Sequence, residues 1–235
     1  MKPPPAGRPE LAIGVRWLIG AYAAFLVAQV VFGVVATEVE GEPARNELFF
    51  APWFMGASLL ATGVLAALVL AGAARTPDRR AALGLVWPQH PWRAVGLAAL
   101  TVVAGLMAAV ALEPVFHGGE EQGLEPTRFP GGAEAGIGLG TAFLAVVVAA
   151  PLVEELFFRG AVFGAIRART GPLPALLVSG ALFAGAHFVP AAFPALMVFG
   201  VLLAFLYERT GSLLAPVLAH ALYNGLALTA ALLSP

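Results

Sequence analysis

Three sets of polar residues stand inside apolar runs of the C-terminal half: Glu154-Glu155 with Arg159, Phe183 with His187, and His220 with Asn224. An ionisable side chain at the centre of a membrane helix costs about 2.5–3.5 kcal/mol on insertion scales. Two carboxylates, a guanidinium, two imidazoles and a carboxamide held in such runs therefore read as working groups. A carboxylate and an imidazole in a low-dielectric cavity make a competent water-activating pair. Glu154 and His187 are read as that pair, aiming a deprotonated water at a peptide carbonyl. His220 and Asn224 suit the oxyanion role, donating hydrogen bonds to the developing alkoxide. The chemistry is that of a peptidase with no serine or cysteine nucleophile.

A metal version competes with this reading. Glu154, His187 and His220 make a two-histidine, one-carboxylate set, which with an open fourth position suits catalytic zinc. Zinc would then activate the water. No HExxH pair lies on one helix, although three ligands from three helices remain geometrically open. The metal-free version, with no cofactor, is preferred.

These side chains act together only if their helices bring them to one depth. At 1.5 Å per residue, Glu154 lies about 20 Å from the end of its helix at Arg167, and His187 about 21 Å from Leu173. His220 and Asn224 lie about 12 and 18 Å past Ser212. Three antiparallel helices thus place their polar groups in one layer. Within a helix, Glu155 and Arg159 are four apart, on one face, where they can pair. Phe183 and His187 share a face in the same way, as do His220 and Asn224. Glu154 points about 100° from Glu155, so the two carboxylates take different jobs. Glu155 goes to Arg159 as a structural pair, and Glu154 faces His187 and the cavity. Phe183 reads as packing, and His90 and His117 as incidental loop residues.

The positioning elements follow from composition. The 235 residues are 60% hydrophobic and 11% charged, far from the roughly 25% charged of soluble domains. Spans need about 20 apolar residues. Seven candidates occur: Leu18–Ala36, Leu48–Ala73, Ala94–Leu112, Ile137–Phe158, Leu173–Phe188, Phe193–Tyr207 and Leu213–Leu233. The fourth is expected to continue as helix to about Arg167, and the sixth is the weakest. The first run is too long for a leader's apolar core and reads as a retained span. The fold class is all-α, a polytopic membrane helix bundle of about seven transmembrane helices.

Charge gives the orientation. With the N-terminus inside and the C-terminus outside, 11 of 13 basic residues fall on or toward the inner side, leaving Arg45 and Arg128 outside. Glutamates from Glu38 to Glu47 and from Glu113 to Glu134 fall on outer loops. The outer loop Glu113–Gly136 is expected to be mobile and the inner stretch Leu83–Arg93 interfacial, with Trp17, Trp53, Trp87 and Trp92 as interface anchors. Cysteine is absent, which excludes disulfides, thiolate metal sites and a cysteine nucleophile. Partners are a peptide or protein substrate and the lipid bilayer, not nucleic acid.

The order Glu-Glu-x-x-x-Arg (Glu154, Glu155, Arg159), Phe-x-x-x-His (Phe183, His187), His-x-x-x-Asn (His220, Asn224) resembles the CPBP family. These are the type II CAAX prenyl endopeptidases and their bacterial relatives in bacteriocin processing and self-immunity, also called abortive-infection proteins. The run from Tyr207 through His220 to Asn224 is similar to the family's last motif and its lead-in. The resemblance covers about Gly136 to Leu228. It divides the chain into an N-terminal region, 1–136, with three spans, and a catalytic core, 137–235, with four. It implies an intramembrane peptidase of a bacterial plasma membrane, its cavity open to the cytoplasm. In it Glu154 and His187 would activate water, His220 and Asn224 would hold the oxyanion, and Glu155 and Arg159 would shape the site. An alternative from another class is a non-proteolytic scaffold or immunity protein that binds a sensor or toxin. A proton-coupled transporter ranks lower, because no inverted repeat or broken helix is evident.

Overall fold

The computed structural model describes residues 12–40, 52–117 and 133–233. Among them the chain forms α1 (Val15–Glu40), α2 (Pro52–Gly72), a one-turn α3 (Arg79–Ala82), α4 (Pro91–Phe116), α5 (133–170), α6 (Pro172–Gly185), α7 (Phe193–Thr210) and α8 (Leu214–Leu233). No strand occurs among the described residues. The chain is an all-α, polytopic helix bundle. Most of the loop expected to be mobile, and the outer glutamates from Glu120 to Glu125, lie outside the described residues.

Among the described residues, six helices are long and apolar enough to cross a membrane: α1, α2, α4, α5, α7 and α8. The expected span Leu173–Phe188 is the exception. Its helix, α6, has 14 residues, so it rises about 21 Å against a hydrocarbon core of about 30 Å. Pro190 disfavours helix at the residue before it, and Phe188 takes a left-handed φ of 52°. The chain therefore reverses after Gly185 and returns as α7, whose 18 residues exceed the expected Phe193–Tyr207. The fourth span does continue beyond Phe158, as one helical rod reaching Thr170.

Large apolar side chains such as Leu60, Met107 and Val110 point outward, an arrangement suited to lipid rather than water. In lipid, association rests on close packing and on polar contacts between helices. Glycine supplies the closeness where α6 crosses α7. A Cβ on Gly180 would stand 2.6 Å from Val201 Cγ2, and one on Gly200 would stand 3.0 Å from Gly180 Cα. Gly105 of α4 likewise gives way to the Phe199 ring of α7, with a Cβ there only 2.6 Å from Phe199 Cδ2.

One end of the bundle is tied by polar contacts. Arg167 donates from Nε and Nη2 to the two oxygens of Glu208, each at 2.7 Å. Leu213 N donates to Gly84 O at 2.8 Å, and Ser212 Oγ to Val86 O at 2.5 Å. Gly84 has φ +75° and lies under Tyr207, where no side chain would fit. These contacts dock the α3–α4 connection onto the α7–α8 turn, so the basic residues of both gather at one end. Trp87 and Trp92, 75% and 87% exposed, project from that connection. Trp17 Nε1 donates to Leu68 O of α2 at 2.8 Å, a bond between helices.

Candidate active site

The rod α5 carries the paired glutamates at a change of helical register. Ala133–Ala142 is α-helical, Phe143–Ala149 π-helical, Ala150–Glu155 α-helical again, Leu156–Phe163 π-helical and Gly164–Thr170 α-helical. π stretches are rare and are frequent at functional sites. In the first, Ala150 N–H donates to Ala145 O, five residues back. The next residue, Pro151, has no N–H, so the π ladder stops there. Glu154 and Glu155 follow within one turn.

Glu155 and Arg159 are fully buried. Arg159 Nη1 donates to Glu155 Oε1 at 2.7 Å, and Nη2 donates to Gly200 O of α7 at 2.9 Å. The guanidinium carbon sits 4.6 Å from the Phe183 ring centre and 5.8 Å from that of Phe158. A dry cation over aromatic faces gains about 2 kcal/mol or more. Such burial is tolerable only with both charges paired. Ser179 Oγ of α6 also donates to Phe158 O at 3.1 Å, tying α6 to the second π stretch.

His220 of α8 completes the cluster. Its Nδ1 lies 2.9 Å from Glu155 Oε1, the oxygen that already accepts from Arg159. A carboxylate only accepts, so Nδ1 carries the proton. Phe183 and Phe199 meet the His220 ring edge-on, with centroids 5.4 and 5.8 Å away. His187 lies beyond the end of α6, in the turn rather than on the helix face expected for it. Its Nδ1 stands 2.8 Å from Phe183 O, a carbonyl acceptor, so Nδ1 is again the donor. Its ring lies 4.8 Å from the Phe183 ring. Both imidazoles thus touch one phenyl ring, with both Nδ1 atoms committed.

Glu154 differs from its neighbour. The residue is partly exposed, yet its Oε2 is buried with no hydrogen-bond partner. Glu155 Oε2 and Arg159 Nε share that condition inside the cluster. Asn224, partly buried one turn beyond His220, donates from Nδ2 to Val146 O of the first π stretch at 2.9 Å. The aromatic neighbour Tyr223 stacks on Phe199 at 4.1 Å.

The structure gathers Glu155, Arg159, Phe183, His187 and His220 into one contact network and sets Glu154 beside it. Asn224 is turned to a backbone carbonyl. Phe183 holds the guanidinium and both imidazoles, which is more than filling space. The residues that sequence reasoning missed are backbone or small. Gly200 supplies the carbonyl for Arg159, Ser179 bonds to Phe158, and Pro151 precedes the Glu-Glu pair by three positions. Only Pro151 left a readable signal, a proline inside an apolar helix. As for zinc, Glu154, His187 and His220 are not grouped as a ligand set: among the described residues no three His, Cys, Asp or Glu side chains could hold an ion together. Glu155 Oε1 is already spent on two donors.

Carboxylates and imidazoles thus meet at a helix discontinuity among membrane-length helices. Residues 137–226 match the family described as type II CAAX prenyl endopeptidase Rce1-like, so that segment is similar to the CAAX-type intramembrane proteases. All the site residues above fall within the matched range. The membrane-length helices have the layout of a multi-pass membrane protein, and the matched family is one of proteases. No curated protein and no solved structure matches the chain.

Proposed function

We propose that the protein is an endopeptidase that hydrolyses a peptide bond inside the membrane, with Glu154 and His187 activating the water. The observation that carries this is the contrast between two adjacent carboxylates. Glu155 is fully buried with Oε1 locked by Arg159 and His220, whereas Glu154 is partly exposed and outside that clasp. A base must be open to water and substrate in this way.

Glu154 takes a proton from water as the oxygen attacks the carbonyl carbon. His187, with Nδ1–H held by Phe183 O, offers the Nε2 lone pair to orient the same water. The carbonyl oxygen becomes an alkoxide facing His220 and Asn224. With Nδ1–H bound to Glu155, His220 donates to the alkoxide from Nε2, which requires the imidazolium form. Asn224 has a second Nδ2 proton beyond the one on Val146 O. When the C–N bond breaks, the proton held by Glu154 passes to the leaving amine. No step is routed through a metal or cofactor.

The substrate is a peptide or the tail of a membrane protein. The chain lies in a bacterial plasma membrane with its N-terminus inside and its C-terminus outside. The test uses purified protein in detergent and a quenched CAAX peptide bearing a farnesyl cysteine. Glu154→Gln or His187→Ala should lower kcat roughly 10²- to 10⁴-fold with unfolding temperatures near wild type. Mutants that cleave as fast as wild type would refute the assignment. Wild-type cleavage that is abolished by chelation and restored by zinc would replace it with the metal version. An intact cellular phenotype in both mutants would favour the scaffold reading.

A further inference from the structure

Asn224 and Pro151 are 73 positions apart in the sequence but meet at one carbonyl. The π ladder of α5 runs with N–H to C=O pairs five residues apart and ends with Ala150 on Ala145. Continued by one residue, it would pair position 151 with Val146 O. Proline has no proton to give, and the carbonyl of Val146 instead accepts from Asn224 Nδ2 at 2.9 Å. A backbone acceptor freed inside a membrane helix costs free energy unless a neighbouring helix satisfies it.

We propose that Asn224 is a positioning residue that stands in for the missing Pro151 N–H, and so holds the turn of α5 that carries Glu154 and Glu155. Three features support a role in the site rather than general packing. The bond lies between α8 and the residues one to two turns ahead of the glutamates. His220, on the same helix as Asn224, grips Glu155 directly, so α8 holds α5 on both sides of Glu154. The register change confines the α-helical stretch of the glutamates to Ala150–Glu155, which leaves few hydrogen bonds of its own to keep it in place. Asn224 thereby sets the direction of the base. The inference rests on the peptidase reading for its catalytic part only.

The test is a double-mutant cycle on the full-length protein in detergent: wild type, Pro151→Ala, Asn224→Ala and the double variant. Alanine at position 151 restores the N–H. Asn224→Ala should lower the unfolding temperature and reduce kcat on the farnesyl-cysteine peptide about tenfold more in the wild-type background than in the Pro151→Ala background. KM should be affected less than kcat. If Asn224→Ala does not fold, Asn224→Leu, which keeps the branched heavy-atom outline and removes the donor, takes its place. Equal penalties in both backgrounds, in unfolding temperature or in kcat, would overturn the proposal and leave Asn224 acting on substrate alone. If wild type does not cleave, the peptidase reading fails while the unfolding cycle still decides whether Asn224 replaces the missing donor.

Discussion

At the scale of single residues, charge burial separates groups that work from groups that hold. Glu155 and Arg159 have no exposed surface and bind each other, Gly200 and His220. Removing one partner leaves the other charged and alone in a dry interior. Arg159→Met should therefore destabilise the protein by about 3–5 kcal/mol, read as a lowered unfolding temperature before any assay of activity. Glu154→Gln keeps shape and abandons no buried charge, so its unfolding should stay close to wild type. A large fall in stability for Glu154→Gln would mean that it, too, belongs to the clasp.

At the scale of elements, the site depends on two interruptions of helix. α5 changes register around Pro151, and α6 stops at Gly185, where a helix of bilayer length would have run on. The second interruption puts His187 in a turn whose geometry is set by Phe183 O and by the left-handed Phe188. The α6–α7 hairpin keeps that turn in place through its glycine crossing. Gly200→Ala should lower both stability and activity, because the added methyl meets Gly180 Cα and Phe183 Cδ1 at 3.0 Å and displaces the ring that carries both imidazoles. Gly140→Ala, where a Cβ meets nothing within 4 Å, should be neutral or stabilise by up to about 1 kcal/mol. Equal effects at the two positions would show that the crossing tolerates expansion.

For the whole molecule, polar contacts gather at one basic end and leave the flanks to lipid-facing apolar side chains. If that end faces the cytoplasm, the orientation expected from the charge pattern, a cysteine introduced at Arg79 should react with a membrane-impermeant maleimide only after the inner face is opened. A cysteine at Glu120 should react from outside in intact cells. The chain has no cysteine of its own, so each label reports one site. The reverse pattern would invert the topology.

Composition and apolar run length sufficed for the all-α membrane class and for six of the seven expected spans, because the bilayer imposes length and hydropathy on any helix that crosses it. The Glu154-to-Arg159, Phe183-to-His187 and His220-to-Asn224 spacings were enough to find the polar set, since charges at membrane depth stand out against their surroundings. The Glu155–Arg159 pair could be read directly because four residues bring two side chains onto one face. What a linear pattern could not carry was choice among partners. That His220 binds Glu155 rather than standing free, that Arg159 reaches the carbonyl of Gly200, and that Asn224 reaches the carbonyl of Val146 are contacts between distant segments. Two of these three use backbone carbonyls, which every residue possesses and no residue type announces. Only the folded bundle, by bringing α7 and α8 against α5, decides which carbonyl is within reach.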